Sequence, residues 1–303
     1  MLQKFIKYIR YEKGYSSHTV LSYNNDLSQF EEFLIKEVGE IDHTAIDADI
    51  VRRYVVWLME QGLSSRSVGR KLSALRTFYK YLLKLNIIES SPVSMVSKPK
   101  EPKPLPSFVK QSEMNLLFNA FDMEEGDDFE SVRDNLILDM LYQTGMRRAE
   151  LLQLRDRDID LQARTIKVTG KRNKQRIIPF GVNLLSRIEA YIKIRNKEVS
   201  ESTPTFFVRE NGEPLYPVLV YRIVKSNLSK ISTLTKLSPH VLRHTFASAM
   251  LNNGADMDSV KELLGHASLM STQVYTHITF EELKHSYNQA HPRAIKKGGL
   301  YGD

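Results

Sequence analysis

Cysteine is absent from this chain of 303 residues. That absence removes disulfides, thiolate-bound metals, iron–sulfur clusters and any cysteine nucleophile. It leaves the compartment open, because cysteine-free chains occur outside the cytosol too. Long hydrophobic runs are missing as well. The opening MLQKFIKYIRYEKGY holds no uninterrupted apolar stretch to serve as a signal sequence. Nowhere do roughly 18 apolar residues follow one another, which excludes a membrane-spanning helix. No Gly-x-Gly-x-x-Gly and no P-loop occurs, so nucleotide binding through those devices is unsupported. Charge is only mildly one-sided, with 43 Lys and Arg against 36 Asp and Glu, a formal +7. With 42% hydrophobic and 26% charged residues, the composition is that of a soluble globular protein long enough for one large domain or two moderate ones.

Proline is concentrated where the chain divides. Five of the eleven prolines lie in SSPVSMVSKPKEPKPLPSF, residues 90–108, and proline at that density forbids a continuous helix. The stretch reads as a solvated linker or, given Lys98, Lys100 and Lys103, as a linker crossing a polyanion. Before it, apolar residues recur at helical spacing. Leu2, Phe5, Ile6 and Ile9 form one face, and Val20, Tyr23, Leu27, Phe30, Phe33 and Leu34 form another. Capping residues open the helices (Ser16 or Ser17, Asp47 or Asp49, Ser64 or Ser65) and Gly14, Gly39 and Gly62 punctuate the joins. The expectation is a four-helix bundle. Its fourth helix carries Arg66, Arg70, Lys71, Arg76 and Lys80 with no acid between Arg66 and Lys84, a face suited to a phosphate backbone.

After the linker, helical rhythm is expected over 112–121 and 132–142, with the acidic block Asp122–Glu130 between them as a solvated loop. RTIKVTGKRNKQRIIPF, residues 164–180, reads as a β-hairpin. A helix is expected over Val182–Glu198, a short strand over Thr205–Val208, and helices beyond. This makes the fold class mainly α with a small β-sheet, not a doubly wound α/β fold. Residues 147–187 hold eleven Arg or Lys and four acids, an excess equal to that of the whole chain. A local basic field of that kind gives phosphate binding, but it does not by itself give a reaction.

Reactive residue types occur in four segments. Thr144-Gly145-Met146-Arg147 ends one helix at glycine and sets Arg147 near the start of the next. His240 and Arg243, three apart, share one side of a helical turn. Leu263-Leu264-Gly265-His266 ends a helix and places a histidine just beyond it. Tyr275 stands in STQVYTH, in a helical stretch. Singly, each has a plainer structural reading: a packed or surface tyrosine, a solvated hairpin lysine at Lys171, arginines in ion pairs, with Glu150 available to Arg147. His240, His244 and His266 could be imagined around a metal, but the segment HVLRH lacks the glutamate of H-E-x-x-H, and His244 reads as a packed or capping residue.

Taken together and in order, these segments resemble the tyrosine recombinases of the phage-integrase type, and most nearly the Xer-type recombinases that resolve chromosome dimers. The resemblance runs over nearly the whole chain, from YEKGYSSHTVLSYNNDLSQFEEFL to LLGHASLMSTQVYTHITFEELKHSYNQAHPRA. The family's TG-x-R-x-x-E-L segment matches Thr144, Gly145, Arg147, Glu150 and Leu151. Its hairpin lysine matches Lys171, its H-x-x-R pair His240 and Arg243, its LLGH histidine His266, and its Y-T-H nucleophile Tyr275. Arg148 and Ala149 depart from the usual apolar residue and serine.

The resemblance implies a SAM-like four-helix core-DNA-binding domain over 1–90, a linker over 91–108, a mixed α/β catalytic domain over 109–280, and a C-terminal segment over 281–303 for contact between protomers. The two domains would clamp duplex DNA. Leu283 and Tyr287 are expected to face a pocket on the neighbouring protomer. The implied chemistry is attack by Tyr275 on a phosphodiester to give a 3′-phosphotyrosyl link, with Arg147 and Arg243 compensating charge on the nonbridging oxygens. Lys171 would protonate the 5′ oxygen. His240 would handle the tyrosine proton or donate to phosphate, His266 would donate to phosphate, and Glu150 would orient the group. Because the phosphotyrosine stores the bond energy, neither ATP nor a metal cofactor is implied. Implied partners are a double-stranded recombination site, three further protomers of this chain or of a paralogue forming a tetramer and a Holliday junction, and in many such systems a septal DNA translocase. The implied location is the cytoplasm, at the chromosome. A mobile-element integrase with the same chemistry is the alternative, and a nonenzymatic DNA-binding protein a more distant one.

Overall fold

The computed structural model describes residues 1–39, 42–100, 108–119, 128–170, 173–199, 204–235, 237–265 and 279–294. The chain forms two compact units, Met1–Pro104 and Leu105–Asp303. In the first, α1 (Leu2–Lys7) runs on through a π-helical turn, Tyr8–Glu12, and is followed by α2 (Ser17–Glu37), α3 (Ala48–Glu60) and α4 (Ser65–Lys84). The expected caps are in place. Ser16, Asp47 and Ser64 accept the backbone N–H groups of Thr19, Ile50 and Ser67 at 3.3, 2.8 and 3.3 Å, which satisfies donors the helices cannot pair themselves. The core is aromatic. Phe5 meets Phe78 edge-on at 5.3 Å and Phe30 meets Tyr54 at 4.9 Å, all four fully buried.

Two expectations about this unit change. Lys71 and Arg76 do not belong to an exposed basic face. Lys71 is buried with its Nζ 2.9 Å from the buried carboxylate of Asp26, which Arg70 also contacts, and Arg76 donates to the carbonyl of Val96 at 2.5 Å. A lysine on the inner side of a helix must find a carboxylate, and α2 supplies one. The proline-rich stretch also begins inside the unit, because Val93 and Val96 are buried in its core.

The second unit runs α5 (Gln111–Asn119), α6 (Phe129–Thr144), α7 (Arg148–Leu152), a 3₁₀ turn Asp156–Asp158, β1 (Ile159–Asp160), β2 (Thr165–Thr169), β3 (Gln175–Pro179), α8 (Val182–Glu198), α9 (Pro217–Ser229), α10 (Pro239–Asn252), α11 (Met257–Leu264) and α12 (Phe280–Ala290). The centre is α6, buried at every residue from Leu136 to Thr144 and packed by α8, α9 and α10. The sheet is antiparallel with β2 in the middle, and Ile166 lies opposite Ile178. Those two side chains and Val168 face the core.

Here too the structure corrects the sequence reading in places. Thr205–Val208 forms no strand; Val208 makes a single bridge to Pro214. Phe206, Phe207 and Val208 are all buried, so the segment is an apolar anchor and not an alternating strand. The acidic block does not stay a loop to its end, since Asp128 caps α6 and Glu130 sits in its first turn, where acids are favoured; residues 122–127 lie outside the described residues. Leu283 and Tyr287 do not face outward to a neighbouring protomer. Both are buried in this unit's own core, the face of α12 being consumed by α10, α11 and β3. No helix of the described residues is long and apolar enough to cross a membrane.

Candidate active site

The site is built where α6 ends. Gly145 caps the helix at φ +59° and its N–H donates to the carbonyl of Leu141. The Thr144 hydroxyl bridges the turn, donating to the Met140 carbonyl at 2.6 Å and accepting from the Met146 N–H at 3.2 Å. The chain then re-enters helix α7 with Arg147 at its N-cap. Glu150, three residues on, accepts the Arg147 backbone N–H at 2.8 Å and the Arg147 side chain (NH1) at 2.8 Å. A capping arrangement ordinarily spent on helix initiation therefore also aims a guanidinium.

Glu150 is shared. Arg176, on β3, meets it with a two-bond fork, NH1 to Oε1 and NH2 to Oε2, both 2.9 Å. Burial of the carboxyl favours its neutral form. The bonds and charge of Arg176, with those of Arg147, outweigh burial and hold the group below the usual carboxylate range.

Arg243, one turn into α10, is buried and donates to the carbonyls of Gly145 and Leu264, each at 2.6 Å. Arg147 NH2 reaches the carbonyl of Gly265 at 3.1 Å and Arg176 Nε that of Leu263 at 2.7 Å. Three consecutive carbonyls at the C-terminus of α11 thus each receive a different arginine. The end of a helix leaves such acceptors unpaired and partly negative, so the match is electrostatic as well as geometric.

Two of these guanidiniums, Arg147 and Arg176, share the Glu150 carboxylate, and Arg243 stands beside them on the same helix end. Burial first, then Arg147 and Arg176, push Arg243 down to about 10. An incoming dianion or phosphodiester would relieve this strain, and the 30% exposure of the Arg147 side chain leaves a route to it. His240 stands on the exposed side of α10. Desolvation, then His244, Arg243, Arg148 and Arg147, lower its pKa, so the neutral imidazole is favoured at neutral pH.

Of the six residues expected from sequence, Arg147 and Arg243 are brought onto adjacent carbonyls of one helix end, and His240 lies one turn before Arg243. Lys171, His266 and Tyr275 lie outside the described residues. Gly170, which precedes Lys171, is close enough that a Cβ there would sit 3.4 Å from Glu150 Oε1; Gly265, which precedes His266, is the acceptor of Arg147. Sequence reading missed Arg176. Its signal lay in the β-alternation: Arg176 shares a strand face with Ile178, the inward face, where an arginine demands a partner.

The family model described as "Phage integrase family" matches residues 107–282, and the one described as "Phage integrase, N-terminal SAM-like domain" matches residues 2–86. Proteins named tyrosine recombinase XerC are similar over almost their full length. The one from Chlorobaculum tepidum is 38% identical, covering 97% of this chain and 94% of its own, and that from Listeria innocua is 40% identical, covering 96% and 97%. Among solved structures, the XerH recombinase bound to palindromic difH substrate in a post-cleavage complex aligns with a TM-score of 0.72 at 23% identity, over 95% of this chain and 84% of that one. The Tn1549 transposon integrase with transposon right-end DNA aligns at 0.69 and 20%, over 94% and 97%. At these identities the two structures speak to the fold alone.

Proposed function

Since the chain belongs to the phage integrase family of tyrosine recombinases, and is closely related to its XerC-type members, we propose that it resolves chromosome dimers at cell division by recombining a single duplex DNA site. Site-specific cleavage and rejoining of DNA strands is the chemistry of the family to which it belongs. The observation carrying the assignment of roles is the convergence of Arg147, Arg176 and Arg243 on the end of α11, with Arg147 and Arg176 also sharing Glu150.

In that reading the Tyr275 phenol oxygen attacks the scissile phosphorus, a P–O bond to tyrosine forms, and the bond to the 5′ oxygen breaks. The phenolic proton leaves to His240 or to a phosphate oxygen, and Lys171 supplies a proton to the departing 5′ oxygen. Arg147 and Arg243, with His266, carry the negative charge that grows on the nonbridging oxygens. A 5′ hydroxyl from a second duplex reverses the sequence and joins new partners, with neither nucleotide hydrolysis nor a metal cofactor in the cycle. The helical unit and the catalytic unit each contact the duplex. Four protomers, of this chain alone or with a paralogue, act on two duplexes through a Holliday junction, and a septal translocase times the second exchange. The setting is the cytoplasmic chromosome.

Covalent capture tests this. Cells are lysed in denaturant, DNA linked to the protein is recovered and sequenced, and Tyr275→Phe is run in parallel. The expected result is one chromosomal locus, present whether or not the host carries mobile elements, with no adduct from Tyr275→Phe. An adduct persisting in Tyr275→Phe removes the nucleophile assignment. Recovery only of the ends of a movable element replaces dimer resolution by integration.

A further inference from the structure

Every nitrogen of the Arg176 guanidinium is engaged: NH1 and NH2 on the two oxygens of Glu150, Nε on the carbonyl of Leu263. Its side chain is only 9% exposed. A fork so enclosed and so occupied is not offered to DNA. It touches instead both supports of the residues that are. One support is the carboxylate that binds the Arg147 side chain and backbone. The other is the end of α11, where the next two carbonyls hold Arg243 and Arg147. Arg176 also comes from the hairpin itself. It lies opposite Val168, and the adjoining pair Thr169 and Gln175 leads into the turn, which Gly170 N–H closes on the Lys174 carbonyl at 2.8 Å.

We infer that Arg176 is a positioning residue for strand cleavage, a planar tie that locks the hairpin, Glu150 and the end of α11 in one register and thereby sets Arg147 and Arg243 toward the phosphate. This rests on the reading of those two arginines as phosphate-binding groups. A lysine could supply the charge, but not the coplanar pair of bonds that fixes the carboxylate's orientation.

The test is single-turnover cleavage of a nicked duplex carrying the captured site, with the full-length protein, Arg176→Gln, Arg176→Lys, Arg147→Ala and Arg243→Ala. Each is run on the natural scissile phosphate and on a methylphosphonate, in which a methyl replaces one charged oxygen. Arg176→Gln is expected to cleave the phosphate roughly 100-fold more slowly, the scale of an ångström's misplacement, with duplex affinity within about 2-fold of the unsubstituted protein. Arg176→Lys stays nearly as slow. On the methylphosphonate the deficit of Arg176→Gln shrinks at least about 10-fold, as do those of Arg147→Ala and Arg243→Ala, because less charge awaits compensation. A deficit equal on both substrates marks general loss of structure and overturns the inference. Full activity in Arg176→Gln, or full rescue by Arg176→Lys, overturns it too. If Arg147→Ala and Arg243→Ala cleave normally, or the unsubstituted protein forms no adduct, the underlying reading falls and this inference with it. If they fail while Arg176→Gln does not, only the inference falls.

Discussion

At the scale of single residues, burial decides what a polar side chain can do. His291 shows this away from the site. Its ring stacks on Tyr287 at 5.1 Å, lies 5.2 Å from Tyr142, and is 4% exposed. Nδ1 accepts the Arg293 N–H at 3.2 Å, which only the neutral ring can do. Burial above all, with the nearby Arg293 charge, pushes its pKa down to about 3. In the unfolded chain it returns to about 6.5. Between those values the unfolded state binds a proton the folded state refuses, so stability falls as pH falls below about 6.5. From pH 7 to pH 5 this group alone costs about 2 kcal/mol. Urea unfolding at both pH values should show His291→Phe losing about that much less than the unsubstituted protein. Equal losses would mean the ring is protonated in the folded state.

At the scale of elements, the active site depends on how helices stop. Gly145 at φ +59° ends α6, and a Cβ there would lie 2.5 Å from Phe246 Cδ1 and 2.9 Å from Leu264 Cδ2. Its carbonyl is also an acceptor of Arg243. Gly254 offers the comparison, with φ +86° but nothing within 4 Å. Gly254→Ala should cost only the left-handed backbone penalty of about 1–2 kcal/mol. Gly145→Ala adds a clash against side chains already packed, so its loss of unfolding free energy should exceed that of Gly254→Ala by about 1 kcal/mol or more, with reduced strand cleavage. Indistinguishable unfolding curves for the two would show that Phe246 and Leu264 move aside freely.

At the scale of the whole molecule, the two units have separate cores. One lies within Leu2–Val96 and the other within Val109–Ala294, with no residue in common. Calorimetry should therefore resolve two transitions. Phe78→Ala, which empties a fully buried site in the first unit, should lower only one of them, by a destabilisation of about 3–5 kcal/mol. A single transition that shifts as a whole would mean that the units unfold as one. The charge also looks different at this scale. The basic excess of residues 147–187 is not a uniform surface field, since Arg147 and Arg176 share Glu150 and Arg187 approaches Asp139 at 3.4 Å.

Much of this was legible locally. Ser16, Asp47 and Ser64 announce their helices because a cap bonds within three residues, and Gly145 and Gly265 end theirs because a left-handed terminus favours glycine. The order Arg147, Lys171, His240, Arg243, His266, Tyr275 was readable as a family pattern. What local spacing cannot carry is which surfaces meet. Leu283 and Tyr287 read as facing a pocket on a neighbouring protomer until α10, α11 and β3 close over them. Lys71 read as a DNA contact until α2 brought Asp26 beside it, 45 positions away in sequence. The absence of cysteine determined from the first line that any covalent catalysis here would use another nucleophile. That arginines from the α6–α7 turn, β3 and α10 converge on one helix end, two of them sharing one carboxylate, was decided only by the tertiary fold. Apart from the local bonds of Arg147 to Glu150, the bonds to that helix end span from 21 to 118 residues, and no periodicity along the chain records such pairings.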